Sequence, residues 1–173
     1  LRRLERAGAG GIPIPPADAR AEVFPRAGGR VPARALRIED RSLLVDWAFG
    51  DGRKMPLASV QAVRFLSPTA TKSNDAAARF DAAAKAPDPD RDVLFLLKGE
   101  KLVEAAGVVT EIAEKTVGFR LGDEDISAPR DKVYGIVFAA GGQADAPSPS
   151  CLTRFRNGAE IRGDILSVAN GRI

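Results

Sequence analysis

Two segments of the chain show the same order of apolar and polar positions. Residues 56–65 and 129–138 both follow the pattern P-x-x-x-V-x-x-[VI]-x-F. A second block lies upstream of each, at 38–43 and 112–117, and runs apolar, variable, acidic, basic, hydroxyl, apolar. Because two blocks recur in the same order, the sequence predicts a tandem repeat.

A third copy of the pattern begins near Cys151, where residues 161–168 parallel residues 107–112. The chain starts at Leu1 rather than at Met and stops at Ile173 inside a predicted strand. We therefore expect it to be a fragment of a longer protein, with the third copy truncated.

Within each repeat, apolar and polar residues alternate over short runs that are separated by turn residues, which predicts antiparallel strands. The residues expected to face inward on the third strand are Val45, Trp47 and Phe49 in the first repeat and Val117, Phe119 and Leu121 in the second. Asp46 and Arg120 are expected to face outward.

Two segments outside this alternation also predict structure. Residues 92–97 read D-V-L-F-L-L and are apolar on both faces, so we expect this strand to be central or covered. The Ala-rich segment from Asp75 to Lys85 predicts a short helix that Asn74 caps and that the prolines at 87 and 89 terminate.

The predicted fold class is mainly β, with tandem small antiparallel β repeats and a short linking helix. The repeats form either Sm-like or SH3-like barrels or one continuous sheet. A unit of about 45 residues is near the lower limit for an independent core, so we expect the repeats to pack on one another. The predicted organisation is an irregular segment at 1–20, repeat one at 21–66, a helical and Pro-rich linker at 67–91, repeat two at 92–140, a linker at 141–150 and the start of repeat three at 151–173.

The chain contains no histidine. Histidine is the usual general base, it completes the Ser-His-Asp and Cys-His nucleophile systems, and it is a ligand in most zinc sites. We therefore predict that the protein is not an enzyme. The sequence assigns no catalytic, cofactor-binding or metal-binding residue and no cofactor, and it leaves the ligand-binding residues open.

One acidic run has a metal-site pattern that does not continue. Asp88, Asp90 and Asp92 have the D-x-D-x-D spacing that begins a calcium loop, but Val93 stands where the loop needs glycine and Gly99 where it needs glutamate. This segment is interpreted as a linker turn.

Other candidate groups are also better explained by structure than by chemistry. The glycines from Gly8 to Gly11 hint at a phosphate loop, but no predicted strand precedes them and Pro13 follows. An exposed Trp47 could stack on a sugar or a base, yet its alternation favours a core position, and Tyr134 is likewise expected to pack. Cys151 is the only cysteine, which excludes an internal disulfide, and is expected to be a structural thiol.

Charge and hydropathy limit the partners. The chain has 26 basic and 23 acidic residues, and the two signs are interspersed rather than gathered on a basic face. Nucleic acid is therefore the less favoured partner. No run of about 18 apolar residues occurs, so no membrane span is expected in this fragment.

The Gly turns and the P-x-x-x-V-x-x-[VI]-x-F block together resemble small repeats of planctomycete-type bacterial proteins that are associated with NPCBM-like carbohydrate-binding modules. The most similar stretches are 92–97, 107–109, 117–120 and 132–138. The resemblance implies an exported or envelope-associated accessory protein, in the cell envelope, in the periplasm or outside the cell, with the cytoplasm as the alternative. It assigns no functional residue.

Three functions remain open. The leading hypothesis is a non-enzymatic structural or binding module in a carbohydrate-binding context, with a protein or an envelope polysaccharide as partner. The strand order is also similar to an Sm-like barrel, which would imply RNA binding and ring assembly, although Tyr134-Gly135 and Gln61-Ala62 replace the Arg-Gly of such sites. The third is a scaffold subunit of a larger complex, in which an interface would cover the apolar strand beginning at Val93. The oligomeric state stays open.

Overall fold

The computed structural model describes residues 17–47, 50–66, 74–99, 101–141, 151–155 and 159–163. The strands of the first repeat are β1 (Ala21–Pro25), β2 (Gly29–Glu39), β3 (Ser42–Trp47), β4 (Gly50–Pro56) and β5 (Val60–Phe65). Those of the second are β6 (Asp92–Lys98), β7 (Lys101–Ile112), β8 (Thr116–Leu121), β9 (Glu124–Pro129) and β10 (Val133–Val137). Helix α1 (Asn74–Lys85) lies between the repeats in the chain, and β11 (Cys151–Arg154) and β12 (Glu160–Gly163) follow them.

The twelve described strands form one antiparallel sheet, in the order β11-β12-β2-β1-β5-β10-β6-β7-β8-β9, with β3 paired to β2 and β4. The predicted mainly β fold with a short helix is confirmed. Of the two arrangements considered, the continuous sheet is present and the closed small barrels were wrong. The reason is that β5 uses its second edge to pair with β10 of the other repeat, instead of closing the sheet of its own repeat.

The two repeats are related by a local two-fold axis at the centre of the sheet. There β5 pairs with β10, and Val63 lies directly opposite Ile136. These two residues occupy the same position of the repeated block, so each faces its own counterpart. The sheet order from β4 to β9 reads the same from either end, and such a contact uses one surface twice, as in a symmetric dimer.

The main core lies on one face of this sheet and contains residues of both repeats. Strands β2 and β7 carry register shifts at 33–35 and 109–111, and a bulge of this kind bends a strand. The hairpins β3–β4 and β8–β9 therefore contribute to the same core as the central strands. Val45 and Phe119 from the hairpins and Ile136 from the centre are fully buried there.

Helix α1 covers the other face of the central strands, through Phe80. This ring lies 5.5 Å from the ring of Phe95 and 5.6 Å from that of Tyr134, measured between centroids. A Cβ atom on Gly135 would lie 2.5 Å from Phe80 Cε2, so only glycine leaves room for the ring. The predicted helix is confirmed; it begins at Asn74, one residue before the predicted start at Asp75, and ends at Lys85 as predicted.

The apolar strand β6 is covered on both faces, as expected. It lies between β10 and β7, with Leu94 buried in the main core and Phe95 buried under α1. The cover comes from the same chain, and it accounts for the apolar pattern that begins at Val93.

The inward pattern of the third strand holds for most of the positions described. Val45, Val117 and Phe119 are fully buried, whereas Asp46 and Arg120 are exposed. The side chain of Trp47 and all of Phe49 lie outside the described residues.

Leu121 was placed wrongly. Its side chain is 45% exposed. It is the last residue of β8 and is followed by the tight turn at Gly122, whose φ is +62°, so it lies at the tip of the hairpin and beyond the core.

Candidate functional site

The acidic run from 88 to 92 forms a turn in which carboxylates hold the backbone. Asp88 Oδ1 accepts hydrogen bonds from the backbone N–H groups two and three residues further on, at 2.8 and 2.9 Å. Asp92 accepts 2.8 Å hydrogen bonds from the N–H groups of Val109 and Ala139, one on each carboxylate oxygen. Within the described residues no group of three or more His, Cys, Asp or Glu side chains could hold a metal ion.

Of the other residues that the sequence singled out, those that the structure describes do not meet at a common site. Tyr134 is 5% exposed and packs against Phe80, as the packing interpretation requires. Cys151 is a free thiol of intermediate exposure at the start of β11. The segment from Gly8 to Gly11 and the side chain of Trp47 lie outside the described part of the chain.

A buried carboxylate joins three strands of repeat one, β1, β2 and β5, to one another. Glu22 on β1 is 2% exposed and lies opposite Arg64 on β5. Arg64 donates hydrogen bonds to Glu22 Oε2 from Nη2 and, at 3.0 Å, from Nε, while Arg30 Nη1 on β2 lies 3.7 Å from Glu22 Oε1. Burial opposes the charge of Arg64, but the hydrogen bond and charge of Glu22 outweigh it and raise the pKa of Arg64. This cluster serves the fold and leaves no site for a ligand.

The hydroxyl of Tyr134 borders this cluster, and its pKa should be measurable by itself. Burial raises the pKa of Tyr134 above its ordinary value of 10.0, and the nearby charge of Arg64 only partly offsets that effect. Because the folded pKa is higher than the unfolded one, this group's contribution to stability is present below pH 10 and is lost as the pH rises through the folded pKa.

The chain has one tyrosine, so the ultraviolet absorbance change of ionisation reports Tyr134 alone. We expect a titration midpoint above 10 in the native protein and near 10 in concentrated urea. Tyr134→Phe supplies the baseline without the signal. Equal midpoints in the native and the denatured protein would contradict the buried position.

A cleft of about 960 Å³ opens between the two repeats. One wall consists of β2 and β3, and the other of the β7–β8 turn and the short 3-10 turn at Arg130–Lys132. The cationic residues that line it are Arg20, Arg34, Arg37, Lys115 and Arg130, and the acidic ones are Asp46, Glu114 and Asp131. We call this the inter-repeat cleft.

Arg130 has the most constrained position among these cations. Its guanidinium carbon lies 4.5 Å from the ring centroid of Phe65, and its backbone N–H donates a 2.8 Å hydrogen bond to the carbonyl of Lys115. Burial and, after it, the charge of Arg20 lower the pKa of Arg130, and Glu114 counteracts them in part. The arrangement is a half-buried guanidinium on an aromatic ring.

Most of the cations in the inter-repeat cleft form no ion pair within the part of the chain that the structure describes. Arg34 is paired with Asp18. The side chains of Arg20, Arg37, Lys115 and Arg130 form no ion pair with any residue that the structure describes, although the three carboxylates line the same cleft. The cleft can therefore offer several guanidinium and ammonium donors to a ligand.

The two-fold axis relates this cationic position to an apolar one. Leu57 follows Pro56 as Arg130 follows Pro129, and its N–H donates to the carbonyl of Arg41 at 3.0 Å, just as that of Arg130 does to Lys115. Leu57 packs against the main core. The backbone is thus conserved between the two halves, and the chemistry of the side chain is not.

Sequence reasoning missed the inter-repeat cleft because its cations lie far apart in the chain. Arg20 directly precedes the first repeat and Arg37 lies within it, whereas Lys115 and Arg130 belong to the second. Only the two-fold arrangement brings them together. One signal was available in the repeated block, where the residue after the shared proline is Leu57 in the first copy and Arg130 in the second.

No helix in the described part of the chain combines the length and the apolar character that a membrane crossing requires. Comparison of the chain with models of known families, with curated proteins and with solved structures gives no match. The resemblance to planctomycete-type repeats therefore stays a prediction.

Proposed function

We propose that the chain is a non-enzymatic structural or binding module of an exported or envelope-associated bacterial protein, in which β repeats join edge to edge. The observation that carries this proposal is the pairing of β12 with β2. Through it, the strand pair that follows the second repeat extends the sheet of the first. A strand that adds to an open edge is held mainly by backbone hydrogen bonds, which is a common way to join units.

This pairing of β12 with β2, which we call the edge joint, depends on a glycine. Residues 160 and 161 pair with Arg30 and Gly29, respectively. Gly29 has a φ of +98°, and a Cβ atom there would lie 2.2 Å from the carbonyl oxygen of Glu160. At the corresponding position the second repeat has Val103.

The carboxylates described above support a non-enzymatic role, because the most buried of them already have structural partners. Glu22 binds two arginines, and Asp92 binds two backbone N–H groups. The absence of histidine from the sequence agrees with this. A hydrolase activity that is lost on replacing one carboxylate would overturn the proposal.

The joint can be tested with Gly29→Ala. We expect the variant to keep the central sheet but to release β11–β12, because the new methyl group would overlap a backbone carbonyl that cannot move alone. Hydrogen exchange of the amides in β12 should become fast, while exchange in β5 and β10 stays slow. Gly122→Ala is the matched control, since Gly122 also has a positive φ but has no atom within 4 Å of the new Cβ.

If β12 exchanges as slowly in Gly29→Ala as in the parent protein, the edge joint is wrong. If Gly122→Ala also releases β12, the loss reflects backbone strain rather than the blocked approach of the strand.

The location in the envelope is the part of the proposal that rests on the family resemblance. Fractionation of the native organism with mass spectrometry tests it, and we expect the peptides to follow the envelope or the medium. Recovery in the cytosol would overturn this part and would leave the edge joint to be judged by hydrogen exchange.

The two alternative functions now have less support. The Sm-like hypothesis was based on strand order and positive charge and implies a closed barrel, whereas the described strands form an open sheet. The scaffold hypothesis depended on an uncovered apolar strand, and α1 covers β6 within the chain.

A further inference from the structure

We propose that the inter-repeat cleft binds a small hydroxylated anion, whose oxyanion group contacts Arg130 and Arg20. The shared chemistry is a phosphate, sulfate or carboxylate group on a molecule that also carries hydroxyl groups. The inference rests on the proposed binding role, which it deepens by naming the ligand class and the place where it binds.

The inter-repeat cleft contains several cationic hydrogen-bond donors. Arg20, Arg37, Lys115 and Arg130 line one concave surface and are not in ionic contact with any described residue. A guanidinium group presents a planar fork of N–H donors that matches two oxygens of a phosphate or carboxylate. Several such groups in one cleft attract an anion and can hold it by more than one hydrogen bond.

The fold does not require an arginine at the position of Arg130. At the position related to Arg130 by the two-fold axis, Leu57 makes the same backbone hydrogen bond and packs against the core. Leucine is thus compatible with this backbone, and burying its side chain is favourable. Arg130 instead holds a charge beside that of Arg20 in a half-buried place, and an anion would compensate both charges.

The other side chains that line the inter-repeat cleft determine what the rest of the ligand can be. Leu44 and Leu66 contribute apolar surface to the inter-repeat cleft, and Asp46, Glu114 and Asp131 contribute carboxylates. Carboxylates accept hydrogen bonds and repel a second anionic group. A molecule with one anionic group, several hydroxyl groups and an apolar face fits these walls better than a polyanion does.

The test is a titration of the full chain, followed by two-dimensional NMR, with inorganic phosphate, sulfate, glucuronate and uncharged glucose as separate probes. We expect at least one of the three anions to shift the amides of the cleft and glucose to shift none. Phosphate or sulfate as the stronger ligand indicates a tetrahedral oxyanion, and glucuronate as the stronger one indicates a sugar carboxylate. Added salt should weaken the binding.

Three variants decide whether the inter-repeat cleft is responsible. Arg130→Leu places the counterpart residue in the cleft, and we expect it to fold and to lower the affinity about tenfold or more. Arg20→Gln removes the second charge from an exposed side chain and should also weaken binding. Arg120→Gln removes a charge that is paired with Asp125 on a distant hairpin, and it should leave the affinity unchanged.

Several results would overturn the inference. They are the absence of a shift with every anion, an affinity that Arg130→Leu and Arg20→Gln leave unchanged, and an equal loss in Arg120→Gln. Binding of a short single-stranded RNA without binding of any small anion would indicate a nucleic-acid surface instead. The edge joint is read separately from hydrogen exchange in β12, so a failed anion test does not count against the proposed module.

Discussion

Replacing Arg64 with alanine is expected to lower the free energy of unfolding by about 3 to 5 kcal/mol. Glu22 is 2% exposed, and Arg64 provides both of its hydrogen bonds from the neighbouring strand. Without Arg64, the carboxylate would remain buried with Arg30 Nη1 at 3.7 Å as the remaining cation. The cost comes mainly from this buried carboxylate, because Arg30 alone compensates its charge only in part. Urea denaturation followed by circular dichroism measures it.

A double replacement separates the cost of a lone charge from the value of the pair. Glu22→Leu combined with Arg64→Leu removes both charges, and exchange of a buried pair for apolar residues is often neutral or stabilising. We expect the double variant to be more stable than Arg64→Ala. Arg120→Ala, which breaks an exposed pair, should change the stability little. An Arg64→Ala protein as stable as the parent would contradict the assignment of a buried pair.

Replacing Phe80 with alanine is the second change with a large expected effect, about 3 to 5 kcal/mol. The ring is 1% exposed and contacts the rings of Phe24, Phe95 and Tyr134. Its removal would leave a cavity between α1 and the sheet, because the glycine and alanine beside it on β10 and β5 cannot fill the space. Urea denaturation of the variant, with the slope checked against the parent, measures the loss.

Two further variants show whether the loss of stability in Phe80→Ala comes from the packing of the ring or from a weaker helix. Ala78→Gly weakens the helix at an exposed position and should cost only about 1 kcal/mol, the ordinary difference in helix propensity. Gly135→Ala keeps the ring but places a methyl group 2.5 Å from it, so it should also destabilise the protein. If Phe80→Ala costs no more than Ala78→Gly, the helix does not depend on this packing.

Local patterns in the sequence were enough to predict the elements of the fold. The alternation around Val45 and Phe119 identified core faces, because a strand places every second residue on one face. The Ala-rich run ending before Pro87 identified α1 for the same kind of local reason. Leu121 was misplaced because alternation says which face a residue shares and does not say where the core ends.

The arrangement of the repeats and the candidate site could not be predicted in the same way. Whether β5 closes its own repeat or pairs with β10 depends on a contact between residues 63 and 136, which no local pattern encodes. The inter-repeat cleft depends on that choice, since Arg20 and Arg130 meet only when the two repeats share a sheet. The repeat blocks did contain the pairing residues. They also differ at one position that lines the cleft, where Arg130 stands in place of Leu57.

The contact between Val63 and Ile136 also restricts how an array of such repeats can be assembled. In a two-fold contact, the fifth strands of two repeats occupy each other's free edges. A third repeat therefore finds no free edge at the centre of the sheet. A third repeat that begins with β11 and β12 would instead join by its flank, through the pairing of β12 with β2. Its own fifth strand can then recreate the central contact only with the fifth strand of a further copy. The structural unit of such an array would be a pair of repeats. An even number of repeats lets every fifth strand pair with another, whereas an odd number leaves one fifth strand without a partner.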